Sequence, residues 1–180
     1  MSMKKILVSP IGAILAMAVV LSGLRLGFSS VERTFKEKEL SVMLSNLLPG
    51  SAVFAEEVYT GKDENIRKVY KGETGFVIEV ATDGYVDEIR MLVGVDKQGN
   101  VTGLVIREMK ETLGLGGNAW SDTSFLSQYL QTSGESEVGK NIDGITGATV
   151  TSKAVTKCVN SASAFVTGAD ISSGATAWGG

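Results

Sequence analysis

Residues 89–107 read IRMLVGVDKQGNVTGLVIR, and this stretch decides the fold. Ile89 to Asp96 and Val101 to Arg107 are two aliphatic, β-branched runs, joined by Lys97-Gln98-Gly99-Asn100, a loop of hairpin type with Gly99 available for a positive φ. Adjacent antiparallel strands result. Further strand signals lie upstream at Val53 to Tyr59, Ile66 to Tyr70 and Gly75 to Ala81. In the last of these, Phe76, Ile78 and Val80 alternate with Val77 and Glu79, as expected for a sheet packed on at least one side. Two helical patterns flank the strands. Val31 to Leu48 places Leu40, Met43, Leu44, Leu47 and Leu48 on one face and is stopped by Pro49-Gly50. Its charged face, Glu32 to Glu39, reads as solvated surface. Val150 to Val166 carries apolar residues at 154, 155, 158, 159, 162, 165 and 166, a repeat that buries one stripe. Trp120, Phe125 and Tyr129 stand at near-helical spacing and read as core. The fold class is α+β, a largely antiparallel sheet with helices.

Composition excludes several chemistries. The chain has 180 residues, no histidine and one cysteine. Without histidine there is no Ser-His-Asp or Cys-His catalysis, no histidine-ligated haem and none of the common zinc sites. Cys158 can form no internal disulfide and holds no iron–sulfur cluster alone; it falls on the apolar side of the last helix and reads as core. No catalytic residue and no metal site is expected, so any redox chemistry must come from a bound organic cofactor. A net charge of −3 without a basic run argues against a nucleic-acid partner.

The N-terminus carries a membrane address. Ile6 to Leu24 is an apolar run of about 19 residues, close to the roughly 20 needed to span the hydrocarbon, preceded by Lys4 and Lys5 and followed by Arg25. A cleaved signal peptide competes, but the run exceeds a typical signal core of about 7–15 residues and no small-x-small site closes it. The expected organisation is a transmembrane anchor at 1–29, a folded domain at 30–166 and a disordered tail at 167–180. Arg25, Arg33, Lys36 and Lys38 outnumber Lys4 and Lys5, so a positive-inside count alone puts the domain on the cytoplasmic side.

Two glycine-containing patches carry the functional signal. Asp143-Gly144-Ile145-Thr146-Gly147-Ala148-Thr149 runs directly into the last helix. Small residues let the backbone approach a bulky group, and Thr149 presents a hydroxyl where unpaired N–H groups and the helix macrodipole favour a phosphate. The plainer alternative is that the threonine is an N-cap. The second patch, Glu111-Thr112-Leu113-Gly114-Leu115-Gly116, follows the hairpin's second strand and lies at a sheet end. Taken alone it is an ordinary glycine-rich turn.

Together these patches resemble the FMN-binding domain family, found in the G subunit of the Rnf complex and the C subunit of the sodium-pumping NADH:quinone oxidoreductase. Asp143-x-x-Thr146-Gly147-Ala148-Thr149 is similar to that family's flavinylation motif, and Glu111 to Gly116 resembles its Glu-Thr-Pro-Gly-Leu-Gly loop, with Leu113 where proline is common. The resemblance implies FMN joined to Thr149 through a phosphoester installed by a flavin transferase. It also implies that Asp143 orients the motif and belongs to the signal the transferase reads, and that Thr146 and Thr151 bond the phosphate. Gly147, Ala148 and Gly114 then give close approach, while Glu111, Thr112 and Leu113 meet the ring or its ribityl chain. The role implied is electron transfer in an Rnf-type ferredoxin:NAD oxidoreductase coupled to sodium or proton movement, beside membrane, iron–sulfur and flavin subunits. The family places a single-pass anchor in the cell (inner) membrane and the flavin domain on the extracytoplasmic face, against the charge count.

Two alternatives differ in kind: the C-type subunit of the quinone oxidoreductase, and an anchored extracytoplasmic binding or sensor module. The tail segment Asp170-Ile171-Ser172-Ser173-Gly174-Ala175-Thr176 repeats the short motif. With only four residues after Thr176, no following helix is expected to cradle a phosphate there, so Thr149 is the expected functional site.

Overall fold

A computed structural model describes residues 36–169. The chain divides into two units, Met1–Leu40 and Ser41–Gly180. Of the first, residues 36–40 are described, and they are helical. The expected anchor at Ile6 to Leu24 and the second motif copy at Thr176 lie outside the described residues. Among the described residues, no helix is long and apolar enough to cross a membrane.

Residues 36–47 form helix α1. Five strands follow, β1 (Ala55–Glu57), β2 (Ile66–Lys71), β3 (Gly75–Asp83), β4 (Glu88–Asp96) and β5 (Val101–Glu108), as one sheet in the order β1-β2-β3-β4-β5. Every pairing is antiparallel. A 3-10 turn (Gly116–Trp120), a short helix α2 (Thr123–Ser127) and a long helix α3 (Thr149–Thr167) complete the domain. The expected α+β class, with its antiparallel sheet, is what the chain adopts.

The sheet is covered on both faces. Alternation sends Ile78, Val80, Ile89, Met91, Val93 and Val95 to one side, where they join Val155, Cys158, Val159 and Ala162 of α3, with Phe125 and Tyr129, in the main core. Gly94 and Gly103, which face each other in the β4–β5 register, point to the other side. A Cβ on Gly94 would collide with the Leu47 carbonyl, and one on Gly103 would lie 3.0 Å from it. The glycines therefore admit the end of α1, whose Leu44, Leu47 and Leu48 are buried there, while Thr102 Oγ1 donates to the Leu47 carbonyl at 2.6 Å.

Two sequence expectations need correction. The first strand shrinks from Val53–Tyr59 to three residues because it is an edge strand, with Val53 and Val58 left 72% and 90% exposed. Of the aromatic trio, Phe125 and Tyr129 are core and pack edge-to-face, but Trp120 is 47% exposed because it ends the 3-10 turn instead of continuing a helix.

Candidate functional site

The β3–β4 turn at 84–87, the segment after β5 and the loop leading into α3 converge at one end of the sheet. They enclose a cavity of about 380 Å³, within the range of roughly 300–1,000 Å³ common for small-molecule sites. Tyr85 lines it from the turn, Glu111, Thr112 and Leu115 from the second segment, and Gly147, Ala148, Thr149, Val150 and Thr151 from the loop and helix.

The start of α3 is the polar end of this cavity. Ala148 is the N-cap, no side chain caps the helix, and the first amide to find a carbonyl is Ser152 N, bonded to the Ala148 oxygen at 2.9 Å. The amides of Thr149, Val150 and Thr151 belong to the first turn, which has no intrahelical acceptor, and they carry the positive end of the macrodipole. Thr149 is exposed and is the first helical residue. The N-cap alternative thus does not describe it, because its hydroxyl caps nothing and is available at the cavity. Gly147, at φ +77°, has a conformation that L side chains rarely adopt, and Leu115 Cδ2 would lie 3.1 Å from a Cβ there.

The loop before the helix is held by residues the sequence reading missed. Gln128 brackets Asp143: its Nε2 donates to the Asp143 carbonyl at 3.1 Å and its Oε1 accepts from the Asp143 amide at 2.7 Å. Ser152 Oγ accepts from Ile145 N and donates to the Ala148 carbonyl, both at 2.9 Å. No local signal marks Gln128, which acts across fifteen positions. Ser152 had one, since a hydroxyl in the first turn of a helix is apt to bond neighbouring backbone.

The expected site residues are brought together unevenly. Glu111, Thr112, Gly147, Ala148, Thr149 and Thr151 line the cavity, whereas Asp143 and Thr146 are exposed positions of the loop outside the lining. Leu113 is 91% exposed, and Gly114, at φ +81°, has nothing near the position of a Cβ; Leu115 reaches the cavity instead. The Thr112 carbonyl closes the turn by accepting from Leu115 N at 3.2 Å and Gly117 N at 2.9 Å. Thr151 is buried, and its hydroxyl donates to Glu111 Oε2 at 2.9 Å. Glu111 Oε1 accepts from the amides of Tyr85 at 2.8 Å and Val86 at 3.1 Å. Beside it, Lys110 Nζ donates to Asp87 Oδ2 at 2.9 Å, which holds the Asp87 carboxyl below its usual range and raises the lysine. Among the described residues, no group of acidic, cysteine or histidine side chains could hold a metal ion.

An uncapped helix start for a phosphate, close-approach glycine backbone and a mostly apolar wall suit a phosphorylated aromatic ligand such as FMN. Comparison with known proteins points the same way. Residues 84–164 match the FMN-binding domain, a span from the β3–β4 turn to near the end of α3. The chain is 36% identical over 120 residues to the G subunit of the Na(+)-translocating ferredoxin:NAD(+) oxidoreductase complex of Acetobacterium woodii, covering 59% of this chain and 58% of that protein. It is 40% identical over 99 residues to the G subunit of the proton-translocating ferredoxin:NAD(+) oxidoreductase complex of Clostridium ljungdahlii, covering 51% and 53%. The match thus spans little more than half the length of these relatives. With the G subunit of the ion-translocating oxidoreductase complex of Vibrio vulnificus the identity is 30% over 156 residues, covering 73% of this chain and 74% of the relative. A domain match that begins and ends on the elements enclosing the cavity, joined to a relative aligned over nearly three quarters of its length, means that the chain belongs to the FMN-binding domain family of Rnf-type G subunits.

Proposed function

We propose that this chain is a membrane-anchored flavoprotein subunit that carries electrons within an Rnf-type ferredoxin:NAD oxidoreductase coupled to sodium or proton translocation, with FMN joined to Thr149 through a phosphoester. The observation that carries the reading is the start of α3, where an exposed, uncapped threonine stands among first-turn amides at the mouth of a cavity. Bound flavin supplies one- and two-electron redox chemistry, which the chain's own side chains cannot. The chain's part is to hold and orient it. First-turn amides and the helix macrodipole stabilise the phosphate's remaining charge. Gly147 and Ala148 keep that approach open, and Tyr85, Leu115 and Val150 give an apolar wall for a ring.

The hydrogen-bond arrangement also supports an external transferase. Glu111 is the carboxylate lining this cavity, and its hydrogen bonds run to Tyr85, Val86 and Thr151, none of them to the Thr149 hydroxyl. Forming the ester then needs a base and a flavin donor brought by another protein. Exposure of Asp143, Thr146 and Thr149 suits such recognition.

Intact-mass measurement of the protein made with and without a flavin transferase tests the reading. One FMN per chain is expected only with the transferase, and none in Thr149→Ala. A colourless wild-type product under those conditions would favour the anchored binding module instead.

A further inference from the structure

The carboxylate of Glu111 occupies a socket assembled from separate parts of the chain. Its Oε1 receives the amides of Tyr85 and Val86 from the β3–β4 turn, and its Oε2 receives the Thr151 hydroxyl from the first turn of α3. Two glycines make room for it. A Cβ on Gly84 would overlap Glu111 Oε1, and a Cβ on Gly116 would overlap Thr151 Oγ1 and come within 2.9 Å of Glu111 Oε2. The neighbouring Lys110–Asp87 contact ties the same turn to the same segment from the solvent side.

We propose that Glu111 is a positioning residue, whose carboxylate locks the turn bearing Tyr85 to the first turn of α3 and thereby sets the separation between the Tyr85 wall and Thr149. This differs from contact between Glu111 and a flavin, because all three donors are protein groups and both oxygens are engaged. Tyr85 is itself 72% exposed and Val86 58% exposed, so little apolar packing holds the turn in place. Removing the carboxylate therefore frees the turn while the sheet beneath, whose Ile89 and Met91 are fully buried, stays intact. The consequence for the cavity rests on the flavin reading above; the clamp itself does not.

The test uses the full chain in detergent, made with the transferase, as wild type, Glu111→Ala and Glu111→Gln. Hydrogen exchange read by mass spectrometry should rise about tenfold in peptides covering 84–88, whose Tyr85 and Val86 amides lose their acceptor in Glu111→Ala, with the sheet otherwise unchanged. Glu111→Gln should recover most of the protection, since its amide oxygen still accepts from Tyr85 and Val86 and its NH2 can donate to Thr151 Oγ1. In the flavinylated protein, Glu111→Ala should keep the mass of the attached FMN but lose visible-region circular dichroism of the ring, restored in Glu111→Gln. Wild-type exchange at 84–88 in Glu111→Ala, or loosening spread evenly through the sheet, would overturn the clamp. A loosened turn with unaltered flavin circular dichroism would overturn its role in setting the cavity. If the wild type carries no flavin, the functional reading fails, while the exchange data from the same sample still decide the clamp.

Discussion

Thr149 and Cys158 illustrate opposite uses of one helix. Thr149 is exposed and caps nothing, so Thr149→Ala removes no cap energy, which is commonly about 0.5–2 kcal/mol when a true N-cap is lost. The apoprotein of Thr149→Ala should therefore match wild type within about 0.5 kcal/mol in urea unfolding while failing to gain FMN. A larger loss would mean that the hydroxyl supports the helix. Cys158 is fully buried further along, and burial pushes its thiol up to about 12 from 9.0. The unfolded chain releases this proton first. Stability from the neutral thiol is thus whole below pH 9 and is lost as pH rises toward 12, at about 1.4 kcal/mol per pH unit from this group. Burial also raises the Tyr129 phenol, which adds a loss of the same sign further up. Cys158→Ala should be less stable than wild type at pH 8 but fall less steeply between pH 8 and 10, as read from urea midpoints. Equal slopes would show that the thiol does not contribute.

At the scale of elements, the β4–β5 hairpin was the most legible part of the chain, because alternation and a glycine-bearing loop are local signals. The structure adds why that loop has one conformation. Gly99 sits at φ +92°, and Asp96 accepts from the Gln98 and Asn100 amides and the Asn100 side chain. Although partial burial opposes it, these bonds hold the Asp96 carboxyl below its usual range. A Cβ on Gly99 would also overlap Thr167 at the far end of α3, whose Ser163 Oγ donates to the Gly99 carbonyl. Gly99→Ala should accordingly cost more than the roughly 1–2 kcal/mol of left-handed strain alone, with Thr167→Ala recovering part of the loss in a double-mutant cycle. Additive effects would mean that the two ends do not touch. The long-range partnership is what the sequence could not disclose. The same holds for the Gly94 and Gly103 pair under Leu47, for Gln128 beside Asp143, and for the Glu111 socket, where each residue is ordinary alone and significant only once the chain is folded. The motif, by contrast, was readable because its glycine, alanine and hydroxyl are consecutive.

For the whole molecule, β3 separates two ends of distinct character. Ser51, just after α1, bonds Thr74 at one end, and the cavity lies beyond Asp83 at the other, about 30 Å away along nine residues of strand. The chain therefore passes from α1 into the sheet at the end remote from Thr149. Upstream of α1 lies the expected anchor, read from the apolar run Ile6 to Leu24, whose orientation is contested between the positive-inside count and the family pattern. Lys and Arg just after a span bias orientation only when their loop is short, and a folded domain can be translocated largely regardless of those charges. The charge count therefore does not decide against the extracytoplasmic arrangement that the family pattern implies, where the covalent attachment proposed above would keep a flavin that could not be replaced from the cytoplasm. Protease added to intact cells, or to spheroplasts where an outer membrane intervenes, should then degrade the sheet domain and leave a short membrane-embedded fragment bearing the original N-terminus. Complete protection of the domain would reverse the orientation in favour of the charge count. A mature N-terminus located after Leu24 would replace the anchor with a cleaved leader, and would require the subunit to be held to the membrane by its partners alone.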